Sequence, residues 1–257
     1  MHLIKHLLKK YGWRLVFYKK IYRGAKVQNR NFKALLDVSS VFSKEKLNVF
    51  TTANEDGILL NIFSKINPVT RTFIDIGSND CINSNCANLA FHHGWYGIFI
   101  DGNKTFLERG KHIYKNYFHN HINRFSFFHA IVTAGNINQL VNNMVPGNEV
   151  DLLSIDLDGN DYFIWDAISV ISPRVVITEV QVEKGNTDFI PEYNQAFELY
   201  ETEIPKGASP LSMLKLANKK GYELVAVNKG CYNLFFVRKD CMKNLRAMTI
   251  AEALQNK

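Results

Sequence analysis

From Phe73 onward, short apolar runs alternate with stretches in which apolar residues recur every three or four positions. The runs at 72–76, 96–100, 125–132, 152–155 and 175–178 read as strands. Residues 84–92, 105–114 and 163–170 read as helices. Ahead of them a helix is expected from Asn54, capped by Asn54 or Asp56, with Ile58, Leu59, Ile62 and Phe63 as its buried stripe. Such alternation implies a parallel sheet with helices on both faces. The end of the chain breaks the pattern. Residues 211–220 look helical and Gly221 stops them; 222–227 and 233–237 then flank a turn at Lys229-Gly230. Two strands this close must pair antiparallel. The expected fold is therefore α/β, a mostly parallel seven-stranded sheet finished by a C-terminal antiparallel hairpin.

Three segments stand apart from this core, which is expected over 51–240. Residues 1–50 form a basic extension whose first 22 residues carry Leu3, Ile4, Leu7, Leu8, Tyr11, Leu15 and Ile21 at near-helical spacing. Such a helix could dock on the domain, sit in a homodimer interface or rest on an anionic membrane surface. Docking is the preferred reading, because the aromatics spread around the helix instead of forming one apolar face. Residues 182–208, with Gly185, Pro191, Pro205 and Gly207, are too long for an ordinary connection and are expected near the acceptor site. Residues 241–257 are expected to form a tail helix.

Charge sharpens the picture. The net charge is +7, yet residues 1–36 hold ten Lys and Arg and no acid, which leaves 21 basic against 24 acidic residues in the rest. The positive charge belongs to a segment and not to the fold, which argues against a nucleic-acid partner. No apolar run approaches the roughly 20 residues of a membrane span, and no secretory signal is visible. Cys81, Cys86, Cys231 and Cys241 fit no zinc spacing, so reduced thiols and a cytoplasmic location are expected.

The candidate chemistry gathers at strand ends. Phe73-Ile74-Asp75-Ile76-Gly77-Ser78-Asn79-Asp80 is a buried strand that closes on an acid and then a glycine, where the backbone must turn sharply. The next strand ends at Asp101, 26 residues after Asp75. That is where a Rossmann-like sheet grips a ribose diol with a carboxylate. The glycines that a pyrophosphate needs are missing, since 79–83 read Asn-Asp-Cys-Ile-Asn. A phosphate-free nucleoside cofactor such as S-adenosylmethionine fits better than a dinucleotide. The densest acids follow: Ser154-Ile155-Asp156-Leu157-Asp158-Gly159-Asn160-Asp161, and Glu179 after the next strand. Ligands of open α/β sheets sit beyond the carboxyl ends of the strands, so Asp75, Asp101, Asp156, Asp158 and Glu179 should share one rim. Asp156, Asp158 and Glu179 could take a proton from an acceptor or hold Mg²⁺ or Mn²⁺. Asp158 or Asp161 could instead cap the helix ahead of Phe163. His129, at the end of the third strand, could reach cofactor or acceptor, while His92 and His93 suit a helix C-terminus as cations.

The run from Asp151 to Asp161 resembles the signature of FkbM-like S-adenosylmethionine-dependent methyltransferases. The resemblance extends to Asn54-Glu55-Asp56-Gly57, Gly94-Trp95-Tyr96-Gly97, Gly207-Ala208-Ser209 and Lys220-Gly221-Tyr222, and spans about residues 33 to 240. It implies a Rossmann-like class I methyltransferase fold and O-methylation, often of sugars in glycan, capsule, lipopolysaccharide or natural-product pathways. By position, Asp75, Gly77 and Ser78 would line the methionine end and Asp101 the ribose. Ala130 and Ile131 would flank the adenine, and Asp156 would face the sulfonium. Asn79 and Gly102 complete the expected cofactor-binding set. The acceptor would be a nucleotide-linked sugar or glycan precursor. The glycine-poor loop at 79–83 departs from the family pattern. The alternative reading is a non-catalytic Rossmann-like assembly module tethered by its basic N-terminus. Against it stand the crowded acids, which cost stability without a partner.

Overall fold

A computed structural model of the chain describes residues 47–145, 149–194 and 207–255. The expected basic helix over 1–22 lies outside the described residues, as do 195–206 within the long connection. The chain order is α1 (Glu55–Ile66), β1 (Thr72–Ile76), α2 (Ala87–His92), β2 (Tyr96–Asp101), α3 (Lys104–Phe118), β3 (Phe125–His129), α4 (Ile137–Met144) and β4 (Leu152–Ile155). It continues with α5 (Asp161–Ala167), β5 (Val175–Glu179), α6 (Pro210–Lys219), β6 (Tyr222–Val227), β7 (Asn233–Arg238) and α7 (Ile250–Leu254).

The strands form one sheet in the order β3-β2-β1-β4-β5-β7-β6. The first five are parallel, and β7 runs antiparallel between β5 and β6. This is the expected sheet, with the order of strand addition switching sides between the parallel neighbours β1 and β4. Alternate residues feed opposite cores, as the period of two demands. Phe73, Leu152, Val175, Phe235 and Val237 join one apolar cluster; Ile74, Leu153, Val176, Leu234 and Phe236 join the other. The first cluster is rich in aromatics. Its Phe73 ring occupies the space where a Cβ on Gly97 would lie, 2.3 Å from Cζ, so the glycine of the second strand makes room for a ring on the first.

The N-terminal edge of the sheet is tied by Asp151, whose carboxylate accepts from the backbone N–H groups of Val69, Thr70 and Arg71 and pairs with Arg174 at 3.3 Å. A cavity of about 330 Å³ lies beside it, but its arginines are already engaged, Arg174 by Asp151 and Arg238 by Asp240. The four cysteines are buried thiols. No helix among the described residues is long and apolar enough to cross a membrane.

Several boundaries differ from expectation. β3 stops at His129 and not at 132, because β2 ends at Asp101 opposite His129 and leaves 130–132 without a strand to pair with. The second helix starts at Ala87 and not at 84, since the Ser84 hydroxyl is spent on Asp75 and on the Cys86 N–H. Neither Asn54 nor Asp56 caps α1. Asn54 is left-handed without a side-chain cap, and Asp56 Oδ2 instead accepts from the N–H groups of Val49, Phe50 and Thr51. α5 begins at Asp161 after Asn160, again without a side-chain cap. Asp158 lies ahead of the Asn160 cap position, and Asp161 turns back to the N–H groups of Leu157 and Gly159. Of the expected tail helix, Ile250–Leu254 is helical.

Candidate active site

Gly77 turns the chain at the end of β1 with φ +79°, and a Cβ there would sit 1.7 Å from the Asp156 carbonyl oxygen. The β1 and β4 ends therefore touch backbone to backbone, which only glycine permits. Gly77 and Ser78 both donate N–H to the Ile100 carbonyl of β2. Where glycines were absent in the following loop, Asn79 and Cys81 take left-handed backbone at φ +48° and +58°, and Asp80 closes the turn on the N–H groups of Ile82 and Asn83. Asparagine tolerates that conformation; a buried cysteine does so at a cost of about 1 kcal/mol.

Asp101 is half-buried at the tip of β2. Its Oδ2 accepts from the Asn79 N–H at 2.6 Å and its Oδ1 from the Asn103 N–H at 2.6 Å. Each oxygen keeps a lone pair, so the carboxylate is held in one orientation with room for a diol. Burial raises its pKa against the pull of those N–H groups. Beside it, Gly102 is exposed and Ile131 shows 71% of its surface to solvent. A large aliphatic side chain so exposed next to a pinned carboxylate suits the flat face of a purine. Ala130 follows β3 and donates its N–H to the Asp101 carbonyl. His129 Nε2 lies 3.0 Å from the Gly102 carbonyl. This puts His129 with Asp101, on a strand separated from β4 by β2 and β1, roughly 14 Å away at ordinary strand spacing. It does not share a centre with the acids of β4 and β5.

Those acids do converge. One carboxylate oxygen each from Asp156, Asp158 and Glu179 lie within 4.8 Å of one another. Asp158 reaches the group through left-handed backbone at φ +53° followed by Gly159. Crowded acids raise one another's pKa values on top of burial. Glu179 is pushed up to about 9 by burial and by Asp156, Asp161 and Asp158. Asp156 stands at about 6, from burial, Asp158 and Glu55. Three hard oxygen donors in this arrangement could hold a divalent cation, which would offset the repulsion. Asp75 departs from the shared rim. It is 2% exposed, its Oδ2 accepts from the Ser84 hydroxyl at 2.6 Å, and burial pushes its pKa up to about 7. It supports the loop from beneath and offers no open face to a ligand.

Sequence reasoning missed the other wall of the site. Glu55, at the first turn of α1, is 2% exposed; its Oε1 accepts from Asn228 Nδ2 at 2.8 Å and its Oε2 from the Ala53 N–H at 2.9 Å. With Asn85, Asp156, Tyr232 and Asn233 it lines a cavity of about 250 Å³. Its motif partner Asp56 pins the 49–51 segment that forms the opposite lip. The long connection after β5 also reaches this rim. The Tyr193 hydroxyl accepts from the Ala134 N–H at 3.0 Å, its ring packs on Phe163, and Asn160 Nδ2 donates to the Asn194 carbonyl.

A glycine turn, a pinned carboxylate at the second strand and three acids at the fourth and fifth complete the rim. No protein-family model and no curated protein matches the chain. Among solved structures it is similar to an O-methyltransferase from Bacillus cereus in complex with SAH (15% identity, 80% of this chain and 91% of that one, TM-score 0.47). Another is magnesium protoporphyrin IX methyltransferase from Synechocystis PCC 6803 with bound SAM (10% identity, 84% and 96%, TM-score 0.46). A third, mitomycin 7-O-methyltransferase, is matched at 15% identity over 65% of this chain and 48% of that one, TM-score 0.41, so this chain spans about half its length. Identities and scores this low leave the reading of function to the residues of the site.

Proposed function

We propose that the chain is an S-adenosylmethionine-dependent O-methyltransferase acting on a sugar hydroxyl, in a nucleotide-linked sugar or glycan precursor. The observation that carries this reading is Asp101, fixed by two backbone N–H groups at the tip of β2, next to a turn that only glycine can make and has no phosphate-binding glycines after it. Asp101 would accept from the ribose hydroxyls, with Ala130, Ile131 and Gly102 around the adenine. Gly77, Ser78 and Asn79 would follow the backbone of the ligand. Bound there, S-adenosylmethionine supplies a methyl carbon activated by a positively charged sulfur. Asp156 would face that charge at the end of β4. A carboxylate of the Asp156, Asp158 and Glu179 group would take the proton of the acceptor hydroxyl or hold Mg²⁺ or Mn²⁺ against it. His129 belongs in this reading with the cofactor and not with proton transfer.

Calorimetric titration of the full chain with S-adenosylmethionine tests the assignment. The wild type should bind, and Asp101→Ala should bind about 10 to 100-fold more weakly, the worth of charge-assisted hydrogen bonds to a diol. Unchanged affinity in the variant would remove Asp101 from the site. A methyl-transfer screen against nucleotide sugars, with and without magnesium or manganese, then tests acceptor class and cation together.

A further inference from the structure

The turn after β1 has two faces. Asn79 is exposed and gives its N–H to Asp101, while Cys81, two residues on, is fully buried and lies against α3. Both take left-handed backbone without being glycine. Such strain persists only where the surroundings fix it. Part of the fixing is local: Cys81 N–H donates to the Ser78 carbonyl at 2.7 Å, and the Asp80 carboxylate accepts from Ile82 and Asn83. The rest comes from the helix. Gly110 and Tyr114, one turn apart on the same face of α3, meet the strained stretch directly. A Cβ on Gly110 would lie 2.5 Å from the Asp80 carbonyl oxygen and 2.8 Å from Cys81 Sγ, so the helix backbone is the floor of the turn. The Tyr114 hydroxyl donates to the Cys81 carbonyl at 3.1 Å. Tyr114 is itself fully buried, its ring held between Phe91, Phe99, Phe118, Phe125 and Phe127 with centroids 4.6–5.6 Å away. Packing therefore sets where the hydroxyl stands. Phe99 belongs to β2, two residues before Asp101, so the cage is built on the strand that carries the pinned carboxylate.

We infer that Gly110 and Tyr114 are positioning residues: they hold the glycine-poor turn in its left-handed path and so keep the Asn79 N–H on Asp101. A glycine-rich loop takes such a path without help; here the helix supplies what the missing glycines do not. Without the Tyr114 hydroxyl the Cys81 carbonyl loses its donor, the peptide turns away, and Asp101 is no longer held in one orientation. The inference rests on the proposed cofactor site for its effect on affinity, whereas the state of the turn is measured apart from it.

The experiment joins calorimetric titration with S-adenosylhomocysteine and amide NMR of the full chain, for wild type, Tyr114→Phe and Tyr222→Phe. The last is the control, another buried tyrosine that donates to a carbonyl, that of Pro173 at 2.6 Å, at the opposite edge of the sheet. Tyr114→Phe should weaken binding roughly fivefold, the loss of one neutral hydrogen bond, and move the Asn79 amide proton upfield as its bond to Asp101 lengthens. Tyr222→Phe should do neither. Adding Cys81→Gly to Tyr114→Phe should restore affinity to within about twofold of wild type, because glycine keeps the left-handed path unaided. If Tyr114→Phe fails to fold, Gly110→Ala decides: alanine favours the helix yet pushes a methyl group into the Asp80 carbonyl, so the Asn79 resonance should move. An unmoved Asn79 resonance, equal weakening by Tyr222→Phe, or no rescue by Cys81→Gly would each overturn the inference. If the wild type has no affinity for S-adenosylhomocysteine, the methyltransferase reading falls, and the Asn79 resonance alone decides the role of α3.

Discussion

Gly77 shows how one residue couples fold and site. Its positive φ brings the turn after β1 against the β4 carbonyl, and the same turn presents Asn79 N–H to Asp101. Gly77→Ala would add left-handed strain and drive a methyl group into the Asp156 carbonyl. The expected loss is about 3 kcal/mol of stability, from strain plus overpacking. Urea denaturation should show it as a lower midpoint, and a midpoint equal to wild type would contradict the contact. The same scale explains what was legible in the sequence. Asp101, Asp156 and Glu179 were found because each ends an apolar run, and Asp158 because it follows Asp156 in the densest stretch of acids. Asp75 ends one too, yet it is covered by Ser84, and nothing in its neighbours along the chain announces a hydroxyl nine positions on. Glu55 entered only as part of the Asn54–Gly57 motif, and its meeting with Asn233 was hidden because the two lie 178 positions apart and join through hydrogen bonds and not through any local period.

Among the elements, strands were readable wherever both faces are buried, as in β4, where all four residues are covered. Limits set by a partner were not, as β3 shows by ending where β2 ends. α4 went unnoticed although Ile137, Leu140, Val141 and Met144 recur at helical spacing, because Gly135 and several asparagines make the segment read as a loop. The edge where strands enter the sheet depends on Asp151, which is fully buried and accepts from three backbone N–H groups as well as pairing with Arg174. Asp151→Asn removes the charge and turns a donor toward other donors. About 3 kcal/mol of destabilisation is expected, again by urea denaturation. Because this edge lies opposite the acids, the affinity for S-adenosylmethionine in the folded fraction should be unaltered; a parallel loss of affinity would argue against that separation.

For the molecule as a whole, pH acts through buried groups of both signs. His92 and His93 were expected as cations at a helix end, but burial lowers both pKa values to about 4, so the rings are neutral in the folded chain near pH 7. An unfolded histidine binds its proton near 6.5 and these bind near 4. Between the two, the unfolded state holds more protons, and their contribution to stability is lost as pH falls through that window. His93→Gln should remove part of the loss, up to about 2 kcal/mol between pH 7.5 and 5. Comparing wild type and variant by thermal unfolding at pH 7.5 and 5 isolates it from the acids; identical pH dependence would show that His93 does not titrate in this range. The antiparallel β7 carries a consequence for how this chain can vary. Its first residue opposes the last residue of β5 only because the stretch between 228 and 233 has its present length. One amino acid added or removed there would move Asn233 to the far side of the sheet. That loop should therefore accept exchanged side chains far more readily than a change in the number of its links.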